Sequence, residues 1–359
     1  MATSRAELQQ MLSALLPSSD LIPDLSKAAA WLQEADAVLI CAGAGMSGNA
    51  GEMVYTNPSD FARYYPWLLQ YGYLSCYECM GMFGDPNVPE AIKRTYMVAH
   101  AWNQRYKFAP NPSYEALLAP LQAMGKDYFV FTSNVDGCFE RAGFDAQRIY
   151  TPQGDWSFMQ CERACTRNSY WKATAQLEEL APLAPHIPES SLPKCPKCGR
   201  GALGSVRGGS WFTHAPYDEA QDRFLEWMQT QQEKAVSSSS GRSRRFKLAI
   251  LEVGAGFNTP IVTRLPMEQI CRETAEAVLV RINPKNSEVP EDLEGRGKAL
   301  GLPCGWSPEL ARSLFEPAVR DLAPPPVAAA PAAAKGSRRA ARGQQVDWKA
   351  VLRSLREQG

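Results

Sequence analysis

Short apolar runs alternate with longer helical patterns along most of this chain. Four mainly apolar runs stop at glycine, asparagine or another polar residue, as strands buried in a parallel sheet do. They cover residues 37–41, 127–132, 247–253 and 277–282, with a weaker run at 148–150. Helical periodicity marks residues 25–34, 114–124, 218–236, 266–275 and 310–322. The alternation predicts an α/β fold built on a Rossmann-like parallel sheet.

Segments of different composition divide this predicted sheet domain. An aromatic-rich stretch at 57–108 predicts a lid of short helices and loops, and a cysteine-containing, proline-rich stretch predicts an inserted module. A basic Ser/Gly/Arg loop spans 237–245, and an Ala/Pro-rich basic tail predicts disorder with a short terminal helix. The predicted units are an N-terminal extension 1–24, a discontinuous sheet domain 25–155 and 214–322 with its lid at about 52–110, an insertion 156–213 and a tail 323–359.

Composition narrows the class of protein. The 359 residues are 45% hydrophobic and 21% charged with zero formal net charge, which favours neither a nucleic-acid nor a membrane partner. No apolar run is long enough for a membrane span, and the N-terminus lacks a secretory pattern. The ten cysteines are therefore expected to be reduced thiols. We expect an intracellular, cytoplasmic protein, with a mitochondrion or plastid as alternatives and the oligomeric state left open.

Two cysteine pairs in the insertion have the spacing of metal ligands. Cys161 and Cys165 are separated by three residues, and Cys195 and Cys198 by two in the sequence CPKCG. Paired thiolates on tight turns form tetrahedral four-cysteine zinc sites, which leave no open position and are structural. The alternative is four unliganded thiols. A rival pair, Cys76 and Cys79, stands in the aromatic segment with no second pair nearby, so we assign it to the core or lid.

Small and polar residues follow four of the predicted strands. In an open parallel sheet, ligands bind beyond the carboxyl ends of the strands, and glycine-rich turns with short polar side chains suit phosphates and riboses. These strand-end residues are Gly43, Ala44, Gly45 and Ser47; Asn134 and Asp136; Gly254, Gly256, Asn258 and Thr259; and Asn283. Together they predict one ligand crevice.

The first of these loops formally matches a dehydrogenase fingerprint. Gly43, Gly45 and Gly48 have its spacing, but the fingerprint also needs an acidic residue at the end of a second strand about 20 residues on. Asp60 has that spacing but begins a capped helix in NPSDFARYYPW. A hydride-transferring dehydrogenase is thus a minor alternative, as is the possibility that these glycines only pack a helix on a strand.

Several motifs in order resemble the sirtuins. The chain has GAGMSGNAG followed by Tyr55, TSNVDG, YTPQGDWSFMQC, CPKCGR, LEVGAGFNTP and RINP. This order is most similar to the macrodomain-linked (class M) sirtuins, and it covers about residues 25–320. The resemblance implies an NAD-binding sheet domain, a four-cysteine zinc ribbon and NAD as substrate. It also implies mono-ADP-ribosylation of a protein acceptor, a lipoyl-bearing carrier where that branch has been characterised.

The resemblance also implies roles for individual residues. Asp136 would accept hydrogen bonds from the nicotinamide carboxamide and Asn134 would hold the nicotinamide ribose; the alternatives are a helix cap and a turn residue. Ala44 and Ser47 would lie near the diphosphate, with Gly43, Gly45, Gly254 and Gly256 in the same loops.

The later loops would contact the rest of NAD. Asn258 and Thr259 would reach ribose or phosphate, and Asn283 would reach the adenosine ribose. Tyr55, Phe61 and Glu78 are candidates for the nicotinamide wall, with packing as the alternative for each.

Gln153 is the departure that most affects function. Ordinary sirtuins have a histidine here that deprotonates a ribose hydroxyl, whereas an amide does not titrate in water and can only orient that hydroxyl. We therefore expect deacetylation to be weak or absent. The predicted function is an NAD-dependent protein mono-ADP-ribosyltransferase with catalytic residues Asn134, Asp136 and Gln153. The alternatives are an NAD hydrolase, an NAD-dependent deacylase and a non-enzymatic NAD or ADP-ribose sensor.

Overall fold

A computed structural model of the chain describes residues 5–47, 55–207, 209–239, 246–322 and Ala350. Within these residues nine strands are numbered in chain order. They are β1 Ala37–Ala42, β2 Asp127–Thr132, β3 Ile149–Tyr150, β4 Gly154–Cys161, β5 Tyr170–Lys172, β6 Ala202–Val206, β7 Leu248–Val253, β8 Ala277–Ile282 and β9 Ala299–Leu302. Six of them form one sheet in the order β3-β2-β1-β7-β8-β9, and every pairing in it is parallel. The predicted Rossmann-like α/β fold is therefore confirmed.

The helices of the described residues are likewise numbered along the chain. They are α1 Arg5–Leu15, α2 Ile22–Glu34, α3 Ala44–Ser47, α4 Pro58–Tyr64, α5 Cys79–Met82, α6 Glu90–Trp102, α7 Pro112–Ala123, α8 Cys138–Arg141, α9 Thr174–Leu180, α10 Asp218–Ser239, α11 Arg264–Glu273, α12 Glu291–Glu294, α13 Pro308–Ser313 and α14 Pro317–Arg320. A π-helical turn, Asn103–Lys107, continues α6. None of the helices in the described part of the chain has the length and apolar character needed to cross a membrane.

Apolar side chains cover both faces of the central sheet. The strands AVLICA and LAILEV are buried along their whole length, which is why they are apolar on both faces rather than alternating; the exception is Glu252, whose buried carboxylate pairs with Arg281. On one face the core contains residues of α1, α2, α7, α13 and α14. On the other face it contains residues of α10 and α11. Helices on both sides and a parallel sheet make this a doubly wound fold.

The register brings four strand ends level with one another. Ala42 pairs with both Thr132 and Val253, and Val253 in turn pairs with Ile282. The segments that follow these residues therefore start at the same edge of the sheet, and they are the four segments predicted to form a crevice.

Two smaller units pack beside the sheet. The strands β5-β4-β6 form an antiparallel sheet that shares a core with α6 and α9. The aromatic segment packs around its own core, in which Cys76 and Cys79 are 3% and 1% exposed, so the assignment of this pair to packing holds. The division of the chain into domains stays a prediction.

Several sequence-based element predictions need correction. The helix predicted at 310–322 is wrong: α13 ends at Ser313 and α14 begins at Pro317, because proline lacks the N–H that a continuous helix needs and disfavours helical backbone before it. The strands β4, β5, β6 and β9 were not predicted. α10 extends to Ser239, into the predicted basic loop. The rest of that loop and the tail, except Ala350, lie outside the described residues.

Candidate functional site

The crevice lies where the chain changes direction across the sheet. β1 has β2 on one side and β7 on the other, so the connections that leave these strands diverge between β1 and β7. Such a switch point leaves a gap beyond the carboxyl ends of the two strands, and this gap is the usual ligand position in doubly wound sheets. The loops that begin at Gly43 and Gly254 form its two sides.

Glycine lets these two loops touch through their backbones. Gly43 N donates to Val253 O at 2.9 Å and Gly45 N to Gly254 O at 3.1 Å. A Cβ on Gly45 would lie 2.7 Å from Gly254 Cα, and a Cβ on Gly43 would lie 2.7 Å from Ala255 Cα. Gly254 also has a φ of +63°, a backbone region that favours glycine. Gly43, Gly45 and Gly254 are therefore required for loop packing, whatever ligand binds beside them.

Gly256 differs from these glycines. A Cβ there would meet only Asn286 Nδ2, at 3.7 Å, which is an ordinary contact. The neighbouring Phe257 is 61% exposed, and its ring centroid lies 4.2 Å from the guanidinium carbon of Arg264. This part of the predicted crevice is open rather than tightly packed.

Asn134 ties the end of β2 to the end of β1. Its Nδ2 donates to Gly43 O and to Ser47 Oγ, both at 3.1 Å, and its backbone N–H donates to Thr132 Oγ1 at 3.0 Å. The side chain is 8% exposed. The amide is thus held in one orientation between the first two predicted site loops.

Asp136 receives a directed chain of hydrogen bonds. Ser47 Oγ donates to Asp136 Oδ2 at 2.7 Å and lies 2.8 Å from the Tyr114 hydroxyl. Because Ser47 gives its one proton to the carboxylate, Tyr114 must donate to Ser47. Burial raises the pKa of Tyr114 well above its ordinary value, and the nearby Asp136 charge adds to this, so the phenol stays protonated and able to donate.

The carboxylate of Asp136 has two functions in the fold. Its Oδ1 accepts from Cys138 N at 2.9 Å and so caps the turn into α8. This is the helix-cap function named above as the alternative for Asp136. Its Oδ2 faces Ser47, and the side chain is partly exposed in a cavity of about 140 Å³ that Thr132 and Thr151 also line. The cap therefore does not exclude a role in ligand binding.

Three residues of this region were not found by sequence reasoning. Tyr114 stands at a helix start and looks like core packing in the sequence. The other two are Asp155 and Arg105. The backbone N–H of Asp155 donates to Tyr217 OH at 2.9 Å, and Asp155 Oδ1 accepts from Arg105 Nε at 3.0 Å. The only sequence signal was the polarity of Asp155, two residues after Gln153, since Arg105 lies in the segment assigned to the lid.

The remaining predicted site residues lie outside the hydrogen-bonded group of Ser47, Asn134 and Asp136. Gln153 is in the turn between β3 and β4, where its carbonyl accepts from Arg207 N at 2.8 Å; among the described residues no hydrogen bond joins its side chain to Asn134 or Asp136. Ala44 and Asn258 are exposed and Thr259 is partly buried.

Asn283 organises the loop after β8. Its Nδ2 donates to Ala255 O at 3.0 Å, and its Oδ1 accepts from Lys285 N and Asn286 N, each at 3.0 Å. The amide is thus engaged with the loop that follows β7. Its predicted contact with a ribose stays a prediction.

The three candidates for the nicotinamide wall differ in their surroundings. Tyr55 contacts the Tyr77 and His100 rings at centroid distances of 5.4 and 5.8 Å, and its pKa is raised by burial and, among other groups, by Asp136. Phe61 is fully buried in the lid core, and Glu78 accepts from a backbone N–H at 2.6 Å. Tyr55 is therefore the one of the three with an electrostatic link to the site.

The four predicted metal ligands converge. Their Sγ atoms all lie within 4.8 Å of one another, with Cys161 and Cys198 at 3.6 Å and Cys165 and Cys195 at 3.7 Å. A tetrahedral zinc ion with Zn–S bonds of about 2.3 Å places its sulfurs about 3.8 Å apart. The group therefore fits a structural zinc ion, and its four protein ligands leave no position for catalysis.

The pKa values of two of these thiols are shifted in opposite directions when no cation is bound. Burial acts to raise the pKa of Cys161, but N–H groups of Arg163 and Cys165 outweigh it and lower that pKa to about 7. For Cys198 the Arg200 N–H lowers the pKa, yet burial and the neighbouring thiols raise it to about 12. Four adjacent thiolates repel one another, so a divalent cation is needed to hold them all deprotonated.

The fold and the site define a doubly wound α/β protein with a strand-end ligand crevice and a four-cysteine module. The sequence profile of the Sir2 family matches residues 43–235, more than half of the chain. This chain therefore belongs to the Sir2 family, as its motifs predicted.

Individual relatives add detail to this membership. The chain is 33% identical over 280 residues to a "Probable bifunctional ADP-ribose hydrolase/ADP-ribosyltransferase" of Fusarium oxysporum f. sp. cubense, covering 76% of this chain and 45% of that protein. It is 23% identical over 275 residues to a "Protein ADP-ribosyltransferase" of Staphylococcus aureus (strain Mu50), covering 74% and 79%. The chain thus spans less than half the length of the Fusarium relative.

Solved structures are similar at lower identity. One is a Sir2 homologue in complex with NAD, with 20% identity, a TM-score of 0.49 and coverage of 83% of this chain and 93% of that chain. Another is a mutant Sir2 homologue in complex with ADP ribose, with 20% identity, a TM-score of 0.49 and coverage of 82% and 95%.

Proposed function

We propose that this protein is an NAD-dependent protein mono-ADP-ribosyltransferase of sirtuin type. The observation that carries the proposal is the hydrogen-bonded group of Ser47, Asn134, Asp136 and Tyr114 at the switch point of a Sir2-family sheet. Two relatives of the chain carry ADP-ribosyltransferase names. NAD would be the substrate, and a protein side chain would be the acceptor.

The reaction replaces nicotinamide with the acceptor at the ribose anomeric carbon. The bond from that carbon to the nicotinamide nitrogen breaks and its electron pair leaves with nicotinamide. A nucleophile of the acceptor supplies the pair for the new bond and loses its proton to its own base or to water. The transition state resembles an oxocarbenium ion, so the protein must orient the ribose and keep competing water away.

The site residues have chemical properties that suit these tasks. Asn134 is fixed by two hydrogen bonds, so its remaining amide oxygen is held ready for a ribose hydroxyl. The Asp136 carboxylate offers an acceptor for the nicotinamide amide beside a fixed Ser47 donor. We place the diphosphate at Ala44 and Ser47, and the adenosine side near Asn258, Thr259 and Asn283. The loops containing Gly43, Gly45, Gly254 and Gly256 would provide the backbone around it.

Gln153 favours transfer over deacylation. An amide can orient a ribose hydroxyl but cannot accept its proton, which deacylation by ordinary sirtuins requires. His100 does not replace it: this histidine is 4% exposed, and burial lowers its pKa to about 3, so it is neutral and enclosed by aromatic rings. An acceptor that brings its own base avoids this requirement.

The zinc module supports this arrangement mechanically. β4 begins at Gly154, directly after Gln153, and ends at Cys161, which is one of the four thiols. A bound zinc ion would therefore fix the Cys161 end of β4, the strand whose other end contains Asp155 and directly follows Gln153. We propose a structural zinc in an intracellular protein, since the thiols must stay reduced to bind it.

The proposed site can be tested through NAD cleavage. Nicotinamide release by the purified chain should be measured for the unmodified protein, for Asn134→Ala and for the control Asn87→Ala, an exposed asparagine in the lid segment. We expect Asn134→Ala to lower release by about 100-fold, since loss of orientation at a reacting centre has effects of this size. The control should keep the unmodified rate. Equal rates for Asn134→Ala and the unmodified protein would place the reaction elsewhere.

A further inference from the structure

A second and larger cavity lies beside the proposed catalytic one. Its volume is about 510 Å³, and Glu140 is the residue that lines both cavities. Its walls come from the π-helical turn after α6, from α8, and from β5 and α9. It therefore opens between the central sheet domain and the cysteine module, next to Asp136 and its hydrogen-bonded neighbours.

The cavity walls are mainly cationic. Arg105, Arg141 and Lys172 line it, against the single carboxylate of Glu140. Arg105 is neutralised within the protein, because it is paired with Glu140 and, through Nε at 3.0 Å, with Asp155. Among the described residues, no ion pair involves Arg141 or Lys172. Two positive charges are thus left without a carboxylate partner.

Arg141 is held in place by neutral groups only. Its Nη2 donates to Phe108 O at 2.6 Å and lies 3.5 Å from Cys138 Sγ. Its Nε is buried and has no acceptor. A guanidinium that is fixed, partly buried and uncompensated attracts an anion more strongly than a mobile surface cation does.

The hydroxyl groups in the cavity connect its two sides. Tyr106 OH and Thr174 Oγ1 are 2.6 Å apart, which joins the turn after α6 to the start of α9. The cavity therefore has a fixed wall with hydroxyl groups near its cations. Carboxylates and phosphates bind best where fixed cations and hydroxyl donors converge.

We propose that this cavity binds an anionic group of the acceptor protein, a carboxylate or a phosphate on a short peptide segment, through Arg141 and Lys172. The inference rests on the proposed transferase function, which requires an acceptor beside the NAD site. An anion held here would bring the adjoining acceptor side chain to the boundary at Glu140. Recognition of acidic segments would then select the protein that receives ADP-ribose.

Peptide binding tests the proposal without any need for turnover. Three fluorescent peptides of equal length, one rich in glutamate, one with phosphoserine in a neutral sequence and one with glutamine in place of glutamate, are titrated with the full chain and followed by anisotropy. We expect at least one anionic peptide to bind about ten-fold more tightly than the glutamine peptide. The stronger of the two anionic peptides identifies the source of the charge.

Variants that reverse or remove a positive charge test whether the peptide binds in this cavity. Lys172→Glu should weaken the anionic peptide by at least about ten-fold, and Arg141→Gln should also weaken it. Lys27→Glu makes the same charge change on an exposed residue of α2 and should leave binding unchanged. Equal effects of Lys172→Glu and Lys27→Glu, no preference for an anionic peptide, or displacement of the peptide by NAD would each overturn the proposal.

The nicotinamide assay on the unmodified chain separates this inference from the function on which it rests. Selective peptide binding without nicotinamide release would leave an anion site on a protein that is not a transferase. Nicotinamide release without selective peptide binding would retain NAD cleavage and refute only the acceptor cavity.

Discussion

The contact between the two glycine loops gives a stability prediction that can be worked from the structure. In Gly45→Ala, the new Cβ would lie 2.7 Å from Gly254 Cα and 3.0 Å from Gly254 O. Carbon atoms normally approach to about 3.5–4.0 Å, so the loops must separate by about 1 Å. Backbone atoms cannot turn away as a flexible side chain can, so the strain falls on the β1–β7 junction.

The expected cost combines three contributions. Overpacking of this kind costs about 1–3 kcal/mol, and stretching the Gly45 N to Gly254 O hydrogen bond costs about 1 kcal/mol more. The greater helix preference of alanine, in a position assigned to α3, offsets up to about 1 kcal/mol. We therefore expect Gly45→Ala to lower the free energy of unfolding by about 1–4 kcal/mol and to weaken NAD binding.

The free energy of unfolding of each variant is measured by urea unfolding monitored through tryptophan fluorescence, and NAD binding is measured by titration calorimetry. Gly81→Ala is the matched control, because a Cβ there meets nothing within 4 Å; it should be as stable as the unmodified protein or, through the helix preference of alanine in α5, up to about 1 kcal/mol more stable. If Gly45→Ala is as stable as Gly81→Ala, the two loops do not pack through their backbones as described.

Three further predictions concern the carboxylate, the thiols and the buried histidine. Asp136→Asn keeps a side-chain oxygen for the Cys138 cap but removes the charge and the acceptor for the Ser47 hydroxyl, so nicotinamide release should fall by about 100-fold while the free energy of unfolding falls by about 1–2 kcal/mol; an unchanged rate would refute its proposed role. Cys198→Ser should reduce bound zinc, assayed with a chelating dye, whereas Cys76→Ser in the lid core should retain it; equal zinc content would contradict the ligand assignment. The depressed pKa of His100, about 3 against 6.5, means that the unfolded chain binds a proton that the folded chain does not, so stability falls as pH drops from 6.5 towards 3. At pH 5 the loss is about 2 kcal/mol, and unfolding curves of His100→Gln should lack this part of the acid sensitivity.

The central strands were predictable because their burial leaves a local signal. Strands that are almost entirely apolar, such as β1 and β7, are expected to be buried on both faces, and the glycine or polar residue after each strand marks its end. The four strand ends, and hence Asn134 and Asp136, followed from this pattern. The cysteine spacing likewise identified the four thiols that the structure brings together.

Other features depend on contacts that no local pattern records. β9 is only four residues long and contains a glycine, and β4 mixes polar and apolar residues because it is part of a small sheet with an irregular register. The Tyr114 hydroxyl meets Ser47 across 67 positions of sequence, so its role could not be separated from core packing. The ion pairs of Arg105 are long-range in the same way.

The fate of the ADP-ribose group decides whether this protein is a transferase. Purified chain is incubated with NAD labelled on the adenine side, with and without cell extract, and nicotinamide release and protein-bound label are measured separately. We expect nicotinamide release together with label on a discrete acceptor protein, and loss of both in Asn134→Ala. Nicotinamide release with label only in free ADP-ribose would show a hydrolase and contradict the transferase, and NAD binding without release would show a sensor.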